Sequence, residues 1–296
     1  MKDKLSKSIW VLIWIIAIAV LTYFFVFYRL ADSQKVEPID ESQYSVYTGR
    51  NVYEYWRGTL PENQQQLYDE LKEAYLQFLP TFSTQVEGKI TVKQMSDVYT
   101  ALYQDHPEIF WMDSYQAVST LTDNINKHKK IELYYAYTEV ESKEIKSRLE
   151  KNYLKIIEEA REQTTDFKKI KLVHDRLIQT TTYTKYGKDE VHEYQSIVEI
   201  FDTGNTVCAG YSFAFKFIMD ELGIDSIVSR DVSHANKSNN HSWNMVKLSG
   251  TWYNLDITWD GEKSKDDVIA YNYFLEKNDS FYRTHKMQEG IPTNEE

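Results

Sequence analysis

The spacing of hydrophobic positions changes several times along the chain, and each change marks an element. Residues 9–28 carry no formal charge and consist largely of Ile, Leu, Val, Phe, Ala and Trp, the length a helix needs to cross ~30 Å of hydrocarbon. Periodicity then lapses, which predicts a linker over 29–61 that gains some order near Tyr53-Glu54-Tyr55-Trp56. Over 62–78, Leu67, Leu71, Ala74, Tyr75 and Phe78 recur at helical spacing until Pro80 intervenes. Residues 91–105 repeat the pattern up to His106-Pro107, where the residue before proline is pushed out of the helical region. Two strands are expected over 114–120 and 130–138, the second with Ile131, Leu133, Tyr135 and Tyr137 in alternation, and they are expected to pair antiparallel. A long charged helix follows over 139–161. Another spans 166–181, with Phe167, Ile170, Val173, Leu177 and Ile178 on its apolar face.

The C-terminal part is more specific. Tyr211, Ala214, Phe215, Ile218, Met219 and Leu222 recur at three and four, and Gly223 stops the helix they define. A strand over 224–232 and a polar loop over 233–240 lead into two further strand-like runs, 240–248 and 251–259, joined by Ser249-Gly250, which suits a two-residue hairpin turn. If Leu248 pairs with Thr251, Trp243 faces Asp256 and His241 faces Thr258. His241 and Asp256 are then diagonal neighbours on one sheet face, roughly 7–8 Å apart at the backbone. A three-residue turn would destroy that parity. The resulting organisation is a cytoplasmic N-terminus (1–8), a transmembrane anchor (9–28), a juxtamembrane linker (29–61), a helix-rich region with two strands (62–164), a second domain (165–285) and a C-terminal tail (286–296). No internal repeat or low-complexity tract interrupts it.

Charge sets orientation and narrows the partners. Lys2, Lys4 and Lys7 precede the apolar run against one acid, Asp3, so the positive-inside rule keeps the N-terminus in the cytoplasm and exports everything after Tyr28. A cleaved signal peptide is the competing reading, but its apolar region is ~7–15 residues and ends in small residues, whereas this run ends in Tyr23-Phe24-Phe25-Val26-Phe27-Tyr28. A net charge of −11 argues against a nucleic-acid partner, which needs a basic face. With 5 Pro, 10 Gly and 42% hydrophobic residues, most of the chain is expected to fold.

The chain has 1 cysteine, Cys208, so no intramolecular disulfide is possible. A free cysteine often serves only as a small buried hydrophobe. Cys208, however, opens the helix read above, where unsatisfied backbone N–H groups and the macrodipole favour a thiolate. Gly210 beside it allows a close approach. With His241 and Asp256 on one face downstream, the parts for nucleophilic catalysis are present: a thiolate, a base and a group that orients the base.

The stretches Val207-Cys208-Ala209-Gly210-Tyr211, His241-Ser242-Trp243-Asn244 and Trp252-Tyr253-Asn254-Leu255-Asp256-Ile257-Thr258-Trp259-Asp260, in this order, resemble the transglutaminase-like superfamily of papain-type cysteine enzymes, in its membrane-anchored bacterial form. Asp105-His106-Pro107-Glu108-Ile109-Phe110-Trp111 is a more distant echo. The resemblance is clear over about 166–282 and thinner upstream. It implies an α+β fold in which a nucleophile helix packs on an antiparallel sheet, preceded here by an α/β N-terminal region and one transmembrane helix. It also implies Cys208 as nucleophile, His241 as general base and acid, and Asp256 as orienting carboxylate, acting on protein or peptide amides, cell-envelope material among them, through a thioester. Amine or water as the acyl acceptor stays open. A catalytically idle relative that binds cell-envelope peptides or proteins and a purely structural surface protein are the alternatives. Tyr183 and Gln195 are candidates for a side-chain oxyanion donor beside the Cys208 N–H.

Other residues have plainer readings. His174 sits next to an apolar helix face and is expected to be structural, His106 to turn the chain before Pro107, and His234 to be exposed in its polar loop. Trp243, Trp252 and Trp259 could line an acyl groove, but aromatics alternating on strands usually pack a core. The acids Asp256, Asp260, Glu262, Asp266 and Asp267 lack the spacing of a calcium loop, and neither a metal nor a cofactor is expected.

Overall fold

Two capping boxes set helix starts that periodicity alone leaves loose. Thr91 accepts from Gln94 N while the Gln94 side chain returns to the Thr91 N–H, and Thr138 and Glu141 repeat the exchange. They open Val92–Asp105 and Glu139–Arg161, the two helices expected at those positions. The computed structural model describes residues 52–88, 90–113, 118–122, 129–184, 191–231, 241–265, 268–286 and 288–294. The expected cytoplasmic stretch 1–8, the apolar run 9–28, the linker up to 51, the loop 233–240 and the strand start 114–117 lie outside the described residues. Among the described residues no helix is long and apolar enough to cross a membrane.

In chain order the elements are α1 (Tyr55–Thr59), α2 (Glu62–Leu76), β1 (Thr81–Thr84), α3 (Val92–Asp105), β2 (Val118–Thr122), β3 (Lys129–Leu133), α4 (Glu139–Arg161) and α5 (Asp166–Thr180). There follow β4 (Thr182–Tyr183), α6 (Val191–Tyr194), α7 (Val198–Asp202), β5 (Asn205–Thr206), α8 (Cys208–Leu222), β6 (Ser226–Asp231), β7 (His241–Leu248), β8 (Thr251–Leu255), α9 (Ile257–Lys263) and α10 (Asn278–Phe281). The expected β2–β3 pair forms, antiparallel, and β1, which hydrophobic pattern did not suggest, adds to the other edge of β3.

The second sheet carries the site. It is an antiparallel β6–β7–β8 array, and β7 and β8 are joined through Ser249 and Gly250, both with positive φ, as a tight primed turn demands. Leu248 pairs with Thr251 as expected, and the register holds as far as Asn244 with Leu255. The ladder stops there: 256–259 do not continue the strand, because Asp256 caps α9 and Thr258 lies within that helix. The expected Trp243–Asp256 and His241–Thr258 strand pairs therefore do not form.

Helix α8 packs on one face of this sheet. Asn244 turns toward it and donates to Ser212 O at 3.0 Å. The opposite face, with Ile227, Met245 and Trp252, joins one apolar core with Trp56, Leu71, Tyr75 and Leu102 of the N-terminal region. Trp56 Nε1 and Gln104 Nε2 both donate to Val228 O, which ties the two regions at the backbone. Residues 52–61 thus belong to the packed body instead of a linker, and the end of the chain is similarly engaged: Asn294 donates to Trp252 O and Tyr55 to Gly290 O. Within α8, Lys216 is fully buried and its ammonium is met by both oxygens of Asp220 at 2.6 Å. Asp220 also receives Tyr53 N, so a charge inside α8 fastens the N-terminal region to it.

Candidate active site

Cys208 is the first residue of α8 and is half-exposed. Its N-cap is Val207, which supplies no side-chain cap, so the positive end of the helix stays open at the sulfur. The approach to this turn is tightly built. β4 and β5 pair in parallel, with Tyr183 opposite Thr206, and Thr206 Oγ1 donates to Tyr194 O at 2.8 Å. A Cβ on Gly210 would lie 1.8 Å from Thr206 Oγ1 and 2.9 Å from Tyr194 O. The close approach expected at Gly210 is thus made by the chain itself.

His241 begins β7, half-buried, and its ring joins the other two residues. Nε2 lies 2.6 Å from Asp256 Oδ2, and Cys208 lies near enough to the ring to favour its charged form. Burial works against a charge on this imidazole, but the hydrogen-bonded Asp256 carboxylate and the neighbouring Cys208 carry its pKa up to about 10. Trp259 stacks on the ring at 4.9 Å between centroids, a face suited to a cation.

Asp256 lies behind, with no exposed surface. Its Oδ1 accepts from Trp259 N at 3.1 Å, capping α9, and its Oδ2 receives His241. Burial pushes this carboxyl up, and hydrogen bonds from His241 and His285 overcome that and hold it below the usual range. Cys208, His241 and Asp256, separated widely in sequence, are thus brought together, with His241 and Asp256 joined by a hydrogen bond and Cys208 beside the imidazole.

His285 was not among the expected residues. It follows α10, is buried, and places Nε2 3.0 Å from the same Asp256 Oδ2. No sequence pattern signals this, since 278–285 is short and polar and the contact is made only in three dimensions. His241, Asp256 and His285 have donor atoms within 4.8 Å of one another, the kind of group that could take a cation. The 2.6 and 3.0 Å separations from Asp256 Oδ2 are hydrogen-bond lengths. Two ligands placed tetrahedrally around zinc at ~2.0–2.1 Å stand farther apart, so the group is a hydrogen-bonded set as it stands.

His174 and His106 have partners of their own. His174 is fully buried between Asp175 and Asp260, at 3.0 and 3.2 Å, and Asp260 also receives Tyr273 N, so His174 braces α9 against α5. His106 ends α3, held between Glu54 and Glu108, which outweigh burial and raise its pKa to about 9. Trp243 and Trp252 are core residues, while Trp259 is part of the site. Glu262 is exposed, and His234, Asp266 and Asp267 lie outside the described residues. Tyr183 is exposed on β4, and Gln195, whose carbonyl receives Tyr103 Oη at 3.3 Å, is half-buried after α6. A cavity of about 410 Å³ bordered by Lys155, Arg176 and Asp202 contains none of the cluster residues.

A family model described as the transglutaminase-like superfamily matches residues 155–257. The matched stretch includes Cys208, His241 and Asp256 and ends before His285. Among solved structures, a crystal structure of a TGase is similar at 14% identity and a TM-score of 0.35, over 60% of this chain and 50% of that one. The periplasmic domain of TgpA from Pseudomonas aeruginosa is similar at 14% identity and a TM-score of 0.28, over 45% of this chain and 53% of that one. The chain thus spans about half the length of each. No curated protein matches it significantly.

Proposed function

We propose that this transglutaminase-like protein is a cysteine acyltransferase or peptidase that acts on protein or peptide amides through a thioester. The observation that carries the reading is the arrangement of His241, hydrogen-bonded to the buried Asp256 carboxylate with Cys208 beside the same ring. The Cys208 thiolate attacks the amide carbonyl carbon, forming a C–S bond and a tetrahedral oxyanion at the open end of α8. Collapse breaks the C–N bond, and His241, protonated, gives its proton to the leaving amine. The neutral imidazole then takes a proton from the acceptor, an amine or water, which attacks the thioester and returns the thiolate. Asp256 holds His241 in place through both halves. The Cys208 N–H is the backbone oxyanion donor, a kind of contact worth about 10²–10³ in rate.

Iodoacetamide reads this directly, because Cys208 is the 1 cysteine in the chain. Rapid labelling with an inflection well below ~8.5 that moves on His241→Ala supports the activated thiolate. Slow labelling that rises only above that pH would sink the enzyme reading in favour of an idle or structural protein. Incorporation of a fluorescent amine into a glutamine-bearing substrate identifies a transferase, and release of ammonia or a new amino terminus alone identifies a hydrolase. The uncharged run 9–28 and its N-terminal lysines support tethering with the domain outside the cell. Protease added to intact cells is then expected to remove the domain, and protection would mean the opposite orientation.

A further inference from the structure

We propose that His285 is a positioning residue of this site, locking the Asp256 carboxylate in the orientation that receives His241. The proposal rests on the nucleophile reading above and concerns a residue outside the stretch that matches the family.

The torsion that turns an aspartate carboxylate about its own axis is broad, so one hydrogen bond leaves it free to rock. Asp256 has a fixed donor on each oxygen. Trp259 N, part of the backbone of α9, holds Oδ1 at 3.1 Å, and His285 Nε2 holds Oδ2 at 3.0 Å. Because a carboxylate only accepts, Nε2 of His285 carries the proton. The ring that presents it has little room to move: it stacks on Phe281 at 3.8 Å and 14°, and Trp259 lies 4.2 Å away. Its other nitrogen, Nδ1, meets Thr284 Oγ1 at 3.0 Å. With both oxygens held by groups that take no part in the reaction, the remaining acceptor site on Oδ2 stays aimed at His241 whether that ring is charged or neutral. The titratable groups around His285 are Asp256 and Tyr273, with His241 at 5.6 Å and Asp260 one turn along α9.

The test is the pH profile of Cys208 alkylation in the full chain, with His285→Leu, His285→Gln and His241→Ala beside the unaltered protein. Removing the donor in His285→Leu is expected to slow labelling near neutral pH by about 10–100-fold and to move the inflection toward the ordinary thiol range. His285→Gln, which returns an N–H, is expected to restore most of both. A His285→Leu profile identical to that of the unaltered protein overturns the proposal, as does a His285→Gln profile that falls with the leucine variant, since packing alone would then explain the ring. A shift on chelator treatment of the unaltered protein also overturns it, assigning the three residues to a cation. Should His285→Leu not fold, the histidine side-chain 15N–1H spectrum of the unaltered chain decides: a slowly exchanging Nε2–H on His285 supports the lock, and an unprotonated Nε2 removes it. Labelling that His241→Ala leaves untouched overturns both this proposal and the nucleophile reading, whereas normal activation with an indifferent His285→Leu overturns this one alone.

Discussion

Asp256 holds His241 with one oxygen while the other caps the helix that Asp256 itself begins, at 2.6 Å to His241 Nε2 and 3.1 Å to Trp259 N. Helix geometry and site geometry thus share one carboxylate. Asp256→Asn keeps the cap but removes the charge facing the imidazole, and it is expected to lower turnover by about 10²–10⁴-fold with little loss of stability from the cap. Asp256→Ala removes both, and is expected to unfold at lower denaturant by about 1 kcal/mol more than the asparagine variant. Paired denaturation and single-turnover measurements separate the two roles, and equal stability of the two variants would contradict the shared one.

The charge on His241 predicts the direction of a pH effect. Its folded pKa lies at about 10, above the ordinary histidine value near 6.5, so folding takes up a proton between the two. The stability it contributes is fully present below about pH 6.5 and is lost as pH rises toward 10. Asp256 acts in the other sense: its lowered pKa contributes stability above about pH 4 that is lost as pH falls. Urea midpoints of the unaltered chain are expected to decline over pH 7–10, and His241→Gln to flatten that decline. An unchanged slope in His241→Gln would show that other groups drive it.

Gly210 tests the packing of the first turn of α8. A methyl group there meets Thr206 Oγ1 at 1.8 Å, so Gly210→Ala is expected to cost about 1–3 kcal/mol or more, the usual range for overpacking. Adding Thr206→Ala removes the nearest atom and is expected to recover part of the loss, leaving the contact with Tyr194 O. A double-mutant cycle by chemical denaturation measures the coupling, and strict additivity would rule out the contact.

The buried Lys216–Asp220 pair makes an opposite demand. Removing one partner leaves a charge without compensation, so Lys216→Met is expected to destabilise by about 3–5 kcal/mol, and the double change with Asp220→Leu to recover most of it. Burial already raises the carboxyl of Asp220 to about 7 and that of Asp105 to about 6. The Lys216→Met variant is therefore expected to be least impaired in mild acid, where these acids take up protons. Thermal melts at pH 5 and pH 8 check this.

Local signals made much of this fold legible. Hydrophobic spacing marks α3, Gly223 stops α8 with a positive φ of 72°, and Ser249-Gly250 sets the hairpin register that brings His241 near Asp256. The error at 256–259 is instructive. Asp-Ile-Thr-Trp alternates like a strand, yet an aspartate is also a strong N-cap, and the second property prevailed because Asp256 finds both Trp259 N and two histidines there. His285 and the packing of residues 52–61 were out of reach for a different reason. Each depends on which distant surfaces meet, and neither leaves a periodic trace.

Among the described residues both faces of the β6–β7–β8 sheet are covered, since α8 packs on one side and Trp56, Leu71, Tyr75 and Leu102 close over Ile227, Met245 and Trp252 on the other. The segment that matches the family model and the smallest self-sufficient protein are therefore different objects. Residues 155–257 expressed alone would present a bare apolar wall to water and lose His285 as well, so a fragment cut at the family boundaries is expected to aggregate. Any biochemistry on this molecule has to begin with its N-terminal region attached.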